Sequence, residues 1–155
     1  AKLMNKGHHF ALALIDLNGF KAVNDIFGHD AGDEVLIFVS EQLRDKIRKV
    51  DVAVRWGGDE FVLLLQAEDE KAVETVISKV NEGIKQPFYF NDDTTPTVVS
   101  MSVGVAFYPR MSRNMNTLIK LADIAMYKAK QNKVAAPDDY LMFAEPEGLD
   151  SSDNQ

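Results

Sequence analysis

Residues 52–65 read VAVRWGGDEFVLLL, two short runs of β-type side chains separated by Gly57-Gly58-Asp59-Glu60. A Gly-Gly pair between apolar runs of this kind is a strong hairpin signal, so strands are expected over 52–56 and 61–65. The turn also sets two acids directly after two residues without side chains. Bare backbone of that sort lets a bulky ligand, a phosphate or a flat purine ring, lie close against the chain.

On the N-terminal side, residues 10–17 (FALALIDL) form a nearly continuous apolar run that suits a buried strand and ends beside a carboxylate, Asp16. Asn18-Gly19 signals a turn. Residues 20–27 have helical spacing, with Phe20, Val23, Ile26 and Phe27 on one side, and Gly28 closes the helix. Asp30 is placed to cap the next helix, whose apolar stripe is Leu36, Val39, Leu43 and Ile47. On the C-terminal side, Glu68-Asp69-Glu70 opens a helix with the stripe Val73, Val76, Ile77, Val80 and Ile84, and Pro87 ends it. Residues 88–90 and 97–108 predict a second hairpin around Asn91-Asp92-Asp93, and Ser100, Ser102 and Gly104 alternate with Met101, Val103 and Val105. Asn114 or Asn116 caps a last helix with Leu118, Leu121, Ala122, Ala125 and Ala129 inward, and residues 140–143 predict a final edge strand. The order β-α-α-β-β-α-β-β-α-β implies an α/β (α+β) domain with a mainly antiparallel central sheet and flanking helices. Its expected limits are 10–144, with a shortened leader over 1–9 and a polar tail or linker over 145–155.

The chain has 155 residues, 46 % of them hydrophobic, enough for one domain with a real core. Lys and Arg number 17 against 24 Asp and Glu, a net charge of −7. That balance argues against a nucleic-acid polymer as partner but leaves room for a small anion held by a local cation or metal. The absence of Cys excludes disulfides, Cys-zinc sites and thiol catalysis. No apolar run reaches the ~18–20 residues of a membrane span, and no signal peptide is evident, so a cytoplasmic domain without membrane contact is expected. His8-His9 is adjacent rather than spaced for zinc and reads as solvated leader. Trp56 and the phenylalanines read as packing.

If the hairpin lies beside the first strand, Asp59 and Glu60 converge on Asp16. Clustered carboxylates repel one another unless a cation holds them, and a hard ion such as Mg2+ is the natural guest. Mg2+ completes its shell with water and phosphate oxygens, as in polymerase-type sites, although an ordinary acidic turn has the same spacing. At the strand-to-helix junction Asn18-Gly19-Phe20-Lys21, free backbone N–H groups and Lys21 are placed to hold phosphate oxygens; a solvated lysine is the plainer alternative. Asn24 and Asp33 carry the groups that read guanine, since Asp accepts from its N1–H and N2–H while an Asn amide both donates and accepts. A polar helix residue and a first-turn acid are the plainer alternatives.

Gly57-Gly58-Asp59-Glu60-Phe61 resembles the signature of the GGDEF domain family, the bacterial diguanylate cyclases. Ile15-Asp16-Leu17-Asn18-Gly19-Phe20-Lys21 with Val23-Asn24-Asp25 looks like the family's first metal and phosphate segment, and Phe27-Gly28-His29-Asp30-Ala31-Gly32-Asp33 like its next. Arg55-Trp56, Ser102-Val103-Gly104-Val105-Ala106 and Ala122-Asp123-Ile124-Ala125-Met126-Tyr127-Lys128-Ala129-Lys130 extend the likeness in order and at matching spacing.

The resemblance implies a palm-like sheet of the nucleotidyl-cyclase type. It implies Mg2+ (or Mn2+) on Asp16 and Asp59 with the Leu17 carbonyl, and Glu60 supporting the metal or acting on the attacking hydroxyl. It implies guanine read by Asn24 and Asp33, and phosphates met by Lys21 and Lys130. Phe20, Gly57 and Gly58 belong to the same substrate site. Arg48 and Asp51 resemble a product-binding inhibitory pair, although an ion pair at a helix end has the same spacing. The implied reaction condenses two GTP into cyclic di-3',5'-GMP across a homodimer, releasing two pyrophosphates. The alternatives are a weak or inactive module that binds GTP or cyclic di-GMP and regulates an attached domain, and another nucleotidyl cyclase or polymerase palm. Three departures bear on this. Val134 stands where the family has an arginine, with Lys133 beside it as a substitute; the usual Leu-Thr-Gly and Asn-Arg leader elements are absent; and Asn18 replaces a frequent second Asp.

Overall fold

In the computed structural model, which describes residues 8–90 and 96–145, β1 (Phe10–Asn18) is buried along nearly its whole length. It sits at the centre of a five-stranded sheet in the order β2-β3-β1-β4-β5, where β2 is Val52–Gly57, β3 Glu60–Leu65, β4 Ser100–Tyr108 and β5 Leu141–Phe143. All pairs are antiparallel except β4–β5. Successive strand side chains point to opposite faces. Ala11, Ala13, Ile15 and Leu17 therefore share a core with α1 (Phe20–Phe27), α2 (His29–Lys46) and α3 (Glu70–Ile84). Phe10, Leu12 and Leu14 join the second core, under α4 (Met115–Ala135). Asp16 continues the even-numbered series, so it lies on the α4 side, just past the apolar part of that face.

α4 rests directly on the sheet. A Cβ at Gly104 would fall 2.0 Å from the Ala122 carbonyl oxygen and 2.3 Å from the Met126 nitrogen, so only glycine permits the contact. Asn114 caps this helix by accepting from the Thr117 N–H at 3.1 Å, and Asp69 caps α3 by accepting from the Ala72 N–H at 2.8 Å. The expected stripes are inward except at Ile26: Val23 on α1, Leu36, Val39 and Leu43 on α2, Val73, Ile77, Val80 and Ile84 on α3, and Leu118, Leu121, Ala122, Ala125 and Ala129 on α4 are buried, Phe20, Phe27, Ile47 and Val76 are half-buried, and Ile26 of the α1 stripe is exposed instead.

Two further expectations are corrected. Asp30 does not cap α2: Gly28 alone separates the two helices, with φ +94°, and Asp30 lies within the first turn. Among the described residues the second hairpin is reduced to one bridge between Phe88 and Thr97, and β4 begins at Ser100. Phe88 and Phe90 instead stack on each other and pack against Phe38 and Phe27 of the helices, a side-chain cluster that replaces a strand ladder. The expected edge strand β5 forms and runs parallel to β4, because the chain crosses over through α4 before returning. The proposed turn at Asn91-Asp92-Asp93 lies outside the described residues, as do the leader apart from His8 and His9 and the tail apart from Glu145. No helix of the described residues is long and apolar enough to cross a membrane.

Candidate active site

Strand register brings the acids together. Asp16 on β1 lies opposite Glu60 on β3 and opposite Ser102 on β4, and side chains opposite each other share a face. The Leu17 N–H donates to the Asp59 carbonyl oxygen at 3.1 Å, tying the tip of the β2–β3 hairpin to the end of β1. Asp16 is 7 % exposed, and its Oδ2 accepts from Lys130 Nζ of α4 at 2.5 Å. Ser102 Oγ accepts from Asn18 Nδ2 at 3.0 Å.

The electrostatics follow from this crowding. Burial, then the charge of Asp16, pushes the Asp59 carboxyl above its ordinary range. Burial, then Asp16, Asp59 and Asp123, does the same to Glu60. The hydrogen bond to Asp16 outweighs burial at Lys130 and raises its ammonium, with help from Asp59 and Glu60. Asp16, Asp59 and Glu60 thus share one ammonium, and the oxygen-only donor set with its excess negative charge fits a hard divalent cation. Among the described residues no three His, Asp or Glu side chains meet closely enough to chelate an ion by themselves. An ion that takes most of its shell from backbone, water and phosphate oxygens suits such a site better than one needing a closed cage. A cavity of about 520 Å³ opens beside it, lined by Asp16, Asp123, Tyr127, Lys130 and Gln131 among others.

A second group forms where β1 gives way to α1. A Cβ at Gly32 would fall 1.9 Å from Asn24 Oδ1 and 3.2 Å from Phe20 Cε2, so Phe20 and Asn24 lie against the α2 backbone one residue before exposed Asp33. Lys21 is exposed in the first turn of α1, whose N-terminus begins at Gly19, φ +89°, with no side chain capping its N–H groups. Gly57 and Gly58 are exposed, outside the left-handed region, and a Cβ on either would meet nothing within 4 Å. Neither the backbone angles nor the packing of this chain therefore requires glycine there.

Arg48 and Asp51 lie at the other end of the hairpin, roughly 20 Å from the Gly-Gly turn at the rise of a six-residue strand. Asp51 Oδ2 accepts from the Arg48 N–H and Nε, and Oδ1 from Arg48 Nη2 and the Gln66 N–H. Burial pushes the Asp51 carboxyl up, but these bonds outweigh it and hold the carboxyl below its ordinary range. A cavity of about 350 Å³ here is lined by Arg44, Arg48, Lys49 and Asp51 with Ile47, Val52 and Ala53.

Residues 1–135 match the family described as "Diguanylate cyclase, GGDEF domain". The chain belongs to the GGDEF domain family. A bifunctional diguanylate cyclase/cyclic di-GMP phosphodiesterase, MucR of Pseudomonas aeruginosa, is 42 % identical over 121 residues, covering 78 % of this chain and 17 % of MucR. The diguanylate cyclase TpbB of the same species is 32 % identical over 149 residues, covering 92 % of this chain and 34 % of TpbB. A solved structure of the TpbB GGDEF domain alone superposes with a TM-score of 0.80 at 29 % identity, covering 97 % of this chain and 85 % of that one. The GGDEF domain described here thus spans between about a sixth and a third of the length of these curated relatives.

Three residues of this GGDEF domain escaped sequence reasoning in their present positions. Asp123 faces Glu60 closely enough to raise it, and Tyr127 lines the same cavity; their signal was helical spacing, since residues 123, 127 and 130 fall at i, i+4 and i+7 on one side of α4. Arg55 donates through Nε and Nη2 to the Gly58 carbonyl oxygen at 3.1 and 2.8 Å, and nothing in the sequence foretells that contact. Lys133, considered as a phosphate ligand, instead donates to the Met101 carbonyl oxygen at 3.0 Å; burial, then Lys85, lowers its pKa. Val134 is 89 % exposed.

Proposed function

We propose that this domain is a diguanylate cyclase that condenses two GTP into cyclic di-3',5'-GMP with release of two pyrophosphates. The observation that carries the reading is the convergence of Asp16, Asp59, Glu60 and Lys130 at the strand ends, next to a Gly-Gly surface that the chain's own packing leaves bare. Asp16, Asp59 and Glu60, with the Leu17 carbonyl, would hold Mg2+ or Mn2+, which when bound supplies charge neutralisation at the phosphates and a more acidic attacking hydroxyl. Lys130 and Lys21, with the uncapped N–H groups of α1, bind triphosphate oxygens. Asn24 and Asp33 select guanine, with Phe20 packed beside them. Glu60 takes the proton of the 3'-hydroxyl as its oxygen bonds to the partner nucleotide's α-phosphorus and the bond to pyrophosphate breaks.

One domain carries one such site, so a homodimer must present two nucleotides to each other. At the far end of the hairpin, Arg48, held in place by Asp51, binds the product and inhibits. The Asp51 lone pairs are already taken, so the remaining Arg48 N–H groups with Arg44 and Lys49 meet the ligand. The GTP substrate and the absence of a spanning helix among the described residues accord with a cytoplasmic location.

A second reading, a weak or inactive module that binds nucleotide and regulates an attached domain, draws on one observation: Val134 offers no cation and Lys133 is engaged on β4. Incubation with GTP and Mg2+, followed by mass spectrometry, separates the two. Cyclic di-GMP that vanishes in Asp59→Ala and Glu60→Ala supports the cyclase; GTP binding without product from a dimeric wild type supports the module.

A further inference from the structure

The tip of the β2–β3 hairpin is loose by composition. Gly57 and Gly58 are adjacent, their side-chain positions touch nothing, and the ladder is irregular between Arg55 and Gly57. Two tethers remove that freedom. One is the backbone bond from the Leu17 N–H to the Asp59 carbonyl oxygen. The other is Arg55, whose Nε and Nη2 both reach the Gly58 carbonyl oxygen. That carbonyl belongs to the planar peptide whose nitrogen is that of Asp59, so its direction fixes the plane from which the Asp59 Cα departs. Among the described residues no carboxylate pairs with Arg55.

We propose that Arg55 is a positioning residue for the acidic site: its guanidinium, chelating the Gly58 carbonyl oxygen with two N–H groups, holds Asp59 aimed at Asp16. The inference rests on the reading of Asp16 and Asp59 as a cation-binding pair. A rigid fork places two donors on one oxygen, whereas an ammonium offers a single point of contact, so lysine replaces only part of the tether.

Trp56 is the only tryptophan, and it adjoins Arg55 in the hairpin. Its fluorescence anisotropy reports the mobility of the hairpin, and its energy transfer to terbium(III), a luminescent substitute for the divalent cation, reports binding at the acids without any need for turnover. In Arg55→Ala the anisotropy should fall and the terbium half-saturation should rise about three- to tenfold, the equivalent of one or two modest hydrogen bonds. Arg55→Lys should fall between, and thermal midpoints should stay within about 2 °C of wild type, because the tip is exposed. Unchanged terbium affinity and anisotropy in Arg55→Ala overturn the proposal. So does a loss matched by a collapse in thermal midpoint, with lysine no better than alanine. Asp59→Asn is the control: if it binds terbium as tightly as wild type, the cation reading itself fails, while the anisotropy still reports whether Arg55 restrains the hairpin.

Discussion

Asp59 is held above the ordinary carboxylate range by burial and by the charge of Asp16. A carboxyl whose folded pKa exceeds its unfolded value favours the fold while protonated, and that contribution is lost as the pH rises through the folded value. At neutral pH the ionised group therefore works against the metal-free fold. Asp59→Asn should raise the metal-free unfolding free energy at pH 7.5, by at most about 1 kcal/mol after solvent screening. Mg2+ should stabilise wild type by about 2.7 kcal/mol at a hundredfold excess over its dissociation constant, and the variant by much less. Thermal unfolding with and without MgCl2 checks both. Asp51 has the opposite sign, because its carboxyl is held below the ordinary range. Its contribution is present above the unfolded value and lost as the pH falls through the folded one. Asp51→Asn should cost about 2 kcal/mol at pH 7, with the gap closing below about pH 4; urea midpoints at pH 7 and pH 3 decide it. The acids of this site were legible because they stand in short segments at strand ends. The contact of Arg55 with Gly58 was not, because an irregularity between Arg55 and Gly57, rather than residue type, turns the guanidinium back on the tip.

At the scale of elements, α4 carries Lys130 to Asp16 and is located by its contact with Gly104. Gly104→Ala must push helix backbone, which cannot rotate away as a side chain can. The expected cost is about 1–3 kcal/mol, the usual range for overpacking a core. Activity should fall further than stability alone explains, because Lys130 moves with the helix. Urea unfolding alongside turnover at a temperature where the variant remains folded separates the two losses, and equal losses would remove α4 from the site. The sheet and the four helices of the described residues were legible because period-2 and period-3.6 patterns are written in most of the apolar positions. The second hairpin was not, because Phe88, Tyr89 and Phe90 have strand-like composition whether they enter a ladder or a side-chain cluster. The aromatic surfaces of Phe27 and Phe38, distant in sequence, decide for the cluster.

At the scale of the molecule, the proposed reaction joins two nucleotides, while the fold supplies one set of Asp16, Asp59, Glu60 and Lys130 per chain. That reaction would require two chains to meet, although each brings a net charge of −7. That requirement can be separated from every claim about single residues. If both half-sites of a pair must be intact, mixing wild type with an equal amount of Asp59→Asn at fixed total protein leaves only wild-type pairs active. Random pairing makes these about a quarter of all pairs, so turnover should drop to about a quarter of the pure wild-type value. Chains acting singly would instead retain half, since the variant would merely dilute the enzyme. The same logic gives a dilution test: specific activity should rise with protein concentration and level off once pairing saturates, whereas a single-chain enzyme would hold it constant. A value of one half in the mixture together with flat dilution would overturn the two-copy mechanism while leaving the acidic site intact.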